Sequence, residues 1–93
     1  LGVYDFIPTN PSIVDNPPSI GFSLLDESLS NNINCFVFDS KGNVNSDLFN
    51  FNERIEIRLN RKLSVGRSRL NCTVKDKSDN WRWFGHQFNV TNN

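Results

Sequence analysis

The chain reads as an all-β protein, a β-sandwich of six to seven antiparallel strands. Three observations predict it. Apolar residues recur with period two rather than 3.6 through most of the chain. Turn signals built from Pro, Gly, Asn, Asp and Ser interrupt these runs at short intervals. No stretch carries a convincing helical pattern, and 93 residues suit one domain rather than two.

Taken in order, residues 2–7 form a short apolar-rich strand that Pro8 stops. Pro11, Asp15-Asn16 and Pro17-Pro18 mark an irregular connection. Residues 19–25 (SIGFSLL) place Ile20, Phe22 and Leu24 on one face. Residues 26–32 are a polar break with room for one helical turn. Residues 33–39 (INCFVFD) are the strongest strand, with Ile33, Cys35 and Val37 inward and Phe36 and Phe38 outward.

Ser40-Lys41-Gly42-Asn43 is a turn, and residues 48–51 are a short apolar stretch. Residues 54–59 (RIEIRL) alternate strictly. A helix could align Phe51, Ile55, Leu59 and Leu63, but the β-branched alternation favours a strand. After a turn at Ser64-Val65-Gly66, residues 68–75 point Leu70, Cys72 and Val74 inward. Residues 76–80 (DKSDN) make a hairpin loop. Residues 81–90 close the fold with Phe84, Phe88 and Val90 on the inner face.

Composition excludes several function classes. Ten basic and ten acidic residues leave no net charge, which argues against a nucleic-acid binder. No apolar run approaches the ~20 residues of a membrane helix. Charge is nevertheless uneven: residues 1–53 carry −6 and residues 54–93 carry +6. Interleaved strands would neutralise the halves. The alternative is a basic face at Arg54, Arg58, Arg61, Lys62, Arg67 and Arg69 that meets an acidic polymer.

Cys35 and Cys72 read either as two small buried hydrophobes or as one disulfide formed in an oxidising compartment. A bridge would add ~3–4 kcal/mol in the chain-entropy model. Both fall at matching inward strand positions.

Catalysis has little to build on. His86 is the one His, set after Gly85 among aromatics, and reads as a hydrogen-bonded structural residue. No acid sits in a hydrophobic setting that would raise its pKa. The oxygens of Asp39-Ser40-Lys41-Gly42-Asn43 are incidental to a turn, no metal or other cofactor is expected, and no glycine-rich phosphate loop is present. Two glycosylation sequons, at Asn71 and Asn89, carry little weight in an Asn-rich chain.

The informative stretch is NWRWFGHQF, residues 80–88. With Phe84 and Phe88 inward, Trp81 and Trp83 point out beside Gln87. Phe36 and Phe38 point out from their own strand. Arg67 and Arg69 alternate outward on the strand that carries Cys72. If these strands share a sheet, its outer face gathers Trp81, Trp83, Phe36, Phe38, Gln87 and Arg69 into one interaction surface. Such a face suits a neighbouring domain, a second copy of the chain, a sugar or a covering loop. A β-bulge at Gly85 would reverse the parity and bury one Trp.

Residues 63–90 resemble the closing segment of some bacterial secreted polysaccharide deacetylases, in which a small immunoglobulin-like sandwich accompanies the catalytic barrel. Val65-Gly66-Arg67, Arg69-Leu70-Asn71-Cys72-Thr73, Trp81-Arg82-Trp83-Phe84-Gly85 and Gln87-Phe88 carry the resemblance. It implies a Cys35–Cys72 pairing. A weaker resemblance, from Ile20-Gly21-Phe22-Ser23 to Phe88-Asn89-Val90, is to the sugar-binding sandwich of O-antigen export ATPases. Together these imply a non-catalytic immunoglobulin-like accessory module, spanning residues 1–93 and cut from a longer protein. It would be periplasmic or secreted, and would dock on a catalytic domain of the same chain or contact polysaccharide. Homo-oligomerisation, a stand-alone carbohydrate-binding module and a structural domain of a cell-surface protein are the alternatives. The barrel's metal-binding His and Asp motifs are absent from these residues.

Overall fold

Alternation of apolar and polar side chains gives each strand one face to bury, and two sheets solve that problem by packing face to face. In the computed structural model, which describes residues 2–9, 12–13 and 15–91, nine strands form these two layers. The expectation for Pro11 lies outside the described residues.

One sheet orders β1 (Val3–Ile7), β3 (Ile20–Leu24), β7 (Arg54–Leu59) and β6 (Ser46–Phe51) as β1-β3-β7-β6. The other comprises β2 (Ser12–Ile13), β9 (Trp81–Val90), β8 (Gly66–Lys75), β4 (Ile33–Asp39) and β5 (Gly42–Val44), in the order β2-β9-β8-β4-β5. All ladders are antiparallel except β2–β9. The architecture is the expected immunoglobulin-like sandwich, with more strands than the pattern predicts. The extra elements are β5, which continues the turn at Ser40-Lys41 into a hairpin, and the two-residue β2. Both are too short to carry a readable alternation. The polar break becomes a 3-10 helix, Glu27–Asn32, which delivers Leu29 to the core.

The inner faces meet as Ile20, Phe22, Leu24, Ile55 and Ile57 against Ile33, Val37, Leu70, Cys72, Val74, Phe88 and Val90. Phe22 is the pivot. Its ring meets Phe84 edge-on at 5.1 Å and Phe6 at 5.6 Å. Leu63 enters this core from a loop, not from a helix, because 54–59 is a strand. Asn16 grips that loop from both sides: Leu63 N donates to Asn16 Oδ1 at 2.8 Å and Asn16 Nδ2 donates to Leu63 O at 2.9 Å.

Gly21 lets β3 and β7 close. A Cβ there would stand 2.6 Å from Ile55 O. The Arg54 side chain lies over this spot and donates to Asp5 O at 2.8 Å and Ser23 Oγ at 2.9 Å.

The oppositely charged halves interleave. The β3–β7, β6–β7 and β4–β8 ladders each join a strand of the acidic half to one of the basic half. Asp39–Arg61 at 3.0 Å and Asp26–Lys77 at 2.6 Å pair across the halves. The single basic face does not form. Arg54 and Arg58 lie on the outer side of the four-stranded sheet, Arg67 and Arg69 on the outer side of the five-stranded sheet, and Arg61 and Lys62 in a loop.

Candidate functional site

The β8–β9 register runs unbroken from Gly66↔Val90 to Lys75↔Trp81, so Gly85 is not a bulge and parity holds through the hairpin. Odd-numbered residues of β9 therefore face outward together with odd-numbered residues of β8 and even-numbered residues of β4. Three rows result across adjacent strands: Asn34, Thr73 and Trp83; Phe36, Asn71 and Gly85; Phe38, Arg69 and Gln87. Lys75 beside Trp81 and Arg67 beside Asn89 close the two ends. All six residues singled out in the sequence lie on this one face.

The face is polarised. At the Lys75 end it presents aromatic surface: Trp83 is 78% exposed, Trp81 60% and Phe36 53%. Lys75 Nζ lies 5.7 Å from the Trp81 ring centre and pairs with Asp79 at 2.9 Å. At the other end the Arg69 guanidinium sits 5.8 Å over the Phe38 ring, which is half-buried beneath it. Arg67 donates to Gln87 Oε1 at 3.0 Å. Between the ends, Asn71 lies against Gly85; with its amide turned so that both ends are satisfied, it donates to Leu70 O at 3.2 Å and accepts from Arg69 Nε at 3.3 Å. A Cβ at Gly85 would come within 3.0 Å of Leu70 O. Asn71 and Arg67 are among the residues of the face outside the predicted six, and the outward alternation of β8 is the signal that finds them.

No outward position of β4, β8 or β9 is acidic. Asp79 reaches the face at its Lys75 end, and Asp39, at the end of β4, is the acid beside its Arg end, with a side chain that is fully buried. Ser64 N, Lys41 N and Arg61 all donate to it, at 2.9, 2.9 and 3.0 Å. Burial pushes its carboxyl up. The amides of Ser64 and Lys41, Arg61 and the Ser64 hydroxyl outweigh that and hold its pKa at about 2. The oxygens taken as incidental to a turn thus lock the β4–β5 corner to the loop at residues 61–64.

On the opposite side of β9, Phe84 and His86 point toward the core. His86 Nε2 lies 2.7 Å from Pro8 O and its ring stacks on Phe6 at 4.9 Å. A ring so engaged tethers β9 to the end of β1. Cys35 and Cys72, directly opposite on β4 and β8, are disulfide-bonded on the core side.

The same sandwich occurs in a copper resistance protein. That protein is PcoC from Escherichia coli, 13% identical, with a TM-score of 0.72 over 97% of this chain and 96% of that one. CopC from Methylosinus trichosporium OB3b superposes with a TM-score of 0.68 at 14% identity, over 97% and 92% of the two chains. No protein-family model and no curated protein matches the sequence.

These neighbours overturn the expected kinship with polysaccharide deacetylase accessory domains and with it carbohydrate binding. The same finding removes the expected partners (a catalytic domain of the parent chain, polysaccharide, a second copy) and the alternatives of a sugar-binding module or a cell-surface structural domain. The motifs that suggested the family are the paired positions of the β8–β9 hairpin. They report how a sandwich closes and not what it binds.

Copper, the metal named for PcoC, calls for imidazole, thioether or thiolate donors. This chain has no Met, one His and two Cys. The Cys are bonded to each other, and the His is stacked and hydrogen-bonded. Among the described residues no three His, Cys, Asp or Glu side chains converge. The donor set does not fit a copper centre.

Proposed function

We propose that this chain is a single-domain, non-catalytic binding module working outside the reducing cytoplasm, and that it acts through the outer face of its five-stranded sheet. One observation carries the reading: Trp81, Trp83 and Phe36 stand exposed in neighbouring rows of a disulfide-stapled sheet that also holds Arg67 and Arg69 in fixed positions. Folding alone gives no reason to leave that much aromatic surface in water. The disulfide supports an oxidising compartment. Acid–base chemistry has no support, since His86 is engaged and Asp39 stays ionised far below neutral pH.

The test is amide NMR mapping with neutral aromatic fragments such as indole and benzamide. Shifts should cluster on β8, β9 and β4. Shifts centred instead on Tyr4, Phe49 and Phe51, the exposed aromatics of the other sheet, would overturn the reading.

PcoC's description as a copper resistance protein motivates a second reading, copper uptake. Titration with Cu(II), and with Cu(I) held in acetonitrile buffer, decides it. The available donors predict no stoichiometric binding; saturable uptake of one ion would restore copper as the cargo.

A further inference from the structure

Resting on that reading of the face, we infer that its occupant is an extended, acidic segment of another polypeptide. The carboxylates of that segment meet Arg67 and Arg69 while its apolar side chains cover Trp83, Trp81 and Phe36.

Charge complementarity selects the acid. Arg67 and Arg69 meet no carboxylate among the described residues, whereas Lys75, Arg82, Arg61, Lys77 and Arg58 each do. Both guanidinium groups are held by neutral partners, Arg67 by Gln87 and Arg69 by the Phe38 ring beneath it. That fixes their direction without consuming their charge. They stand two residues apart on one strand face, about 7 Å, and with Phe38 and Gln87 line a concavity of about 140 Å³. Asp39 borders it too, but turns its buried carboxylate to Arg61, Ser64 and Lys41. The concavity therefore has donors on its walls and no exposed acid.

Geometry selects an extended chain. From Arg69 to Thr73, the residue beside Trp83, is four strand residues, about 13 Å. A ligand touching both ends must span that distance along a flat surface, which about four residues of extended polypeptide do. A lone carboxylate would reach only the Arg end. Single-stranded nucleic acid would also use aromatic platforms and cations. Two unpaired Arg and zero net charge are a poor match to a polyphosphate, and a disulfide-bonded chain belongs to a compartment where nucleic acid is scarce.

The experiment uses three probes on the intact chain, followed by amide NMR and calorimetry: a short amidated peptide with a Glu run followed by Leu and Phe, its Lys-for-Glu counterpart, and an oligothymidylate. The Glu peptide should bind on β4, β8 and β9 and weaken with salt. Its affinity should fall about tenfold or more in Arg67→Gln/Arg69→Gln and in Trp83→Ala. Equal binding of the Glu and Lys peptides, or tighter binding of the oligothymidylate, overturns the inference. If neutral fragments still map to this face in either case, the acidic-partner assignment alone falls. If the fragments map elsewhere, the reading of the face falls with it.

Discussion

Cys35 and Cys72 occupy directly opposed positions on β4 and β8, with Cα atoms 4.1 Å apart, and their bond lies on the core side of the sheet whose other side carries Phe36, Asn71 and Arg69. The bridge thus ties together the two strands that supply most of the candidate surface. Replacing both Cys with Ala should cost about 3–4 kcal/mol in urea unfolding, the chain-entropy expectation for this loop. The oxidised wild type should lose a similar amount when reductant is added. Identical midpoints with and without reductant would show that the bridge adds nothing.

Asp39 makes stability depend on acid. Its folded pKa of about 2 lies below the ordinary 3.8, so its contribution is complete above pH 4 and is lost as pH falls toward 2. The difference corresponds to about 2 kcal/mol. Asp39→Asn should lower stability by roughly that amount at pH 6 and flatten the decline between pH 4 and 2. Denaturant midpoints across this range, wild type against variant, measure both effects.

Gly21→Ala places a Cβ 2.6 Å from Ile55 O, a backbone atom that cannot rotate away. The β3–β7 ladder must then separate, at a cost of about 1–3 kcal/mol. Thermal unfolding of the Ala variant checks it.

Ser68 faces the core opposite Phe88, 1% exposed, and its hydroxyl has no hydrogen-bond partner. Ser68→Ala removes a desolvated hydroxyl and should raise stability by ~1 kcal/mol. A loss of that size would mean the hydroxyl is satisfied in solution.

Trp83, at 78% exposure, should behave in the opposite way to a core aromatic. Trp83→Ser should change unfolding free energy by less than about 0.5 kcal/mol, whereas Phe22→Ala should cost ~3–5 kcal/mol. A large loss at Trp83 would mark it as structural rather than functional.

Period-two alternation is local information, which is why β4, β7, β8 and β9 and the parity of the aromatics were legible in the chain. Inner and outer sides followed from it, and so did the sorting of Phe88 from Trp83. Other features depended on partners distant in sequence. Asp39 reads as an incidental turn oxygen until Ser64 and Arg61 are brought beside it. Leu63 fits the sequence only as part of a helical alternative until Asn16 holds its loop backbone over the core. The six cations of residues 54–69 leave a single basic patch open as an alternative until two sheets carry Arg54 and Arg58 to one side and Arg67 and Arg69 to the other. The placement of Arg67, Arg69, Asn71 and Trp83 in one polarised face required the order β9-β8-β4, because strand order is set by long-range pairing that no single alternation pattern encodes.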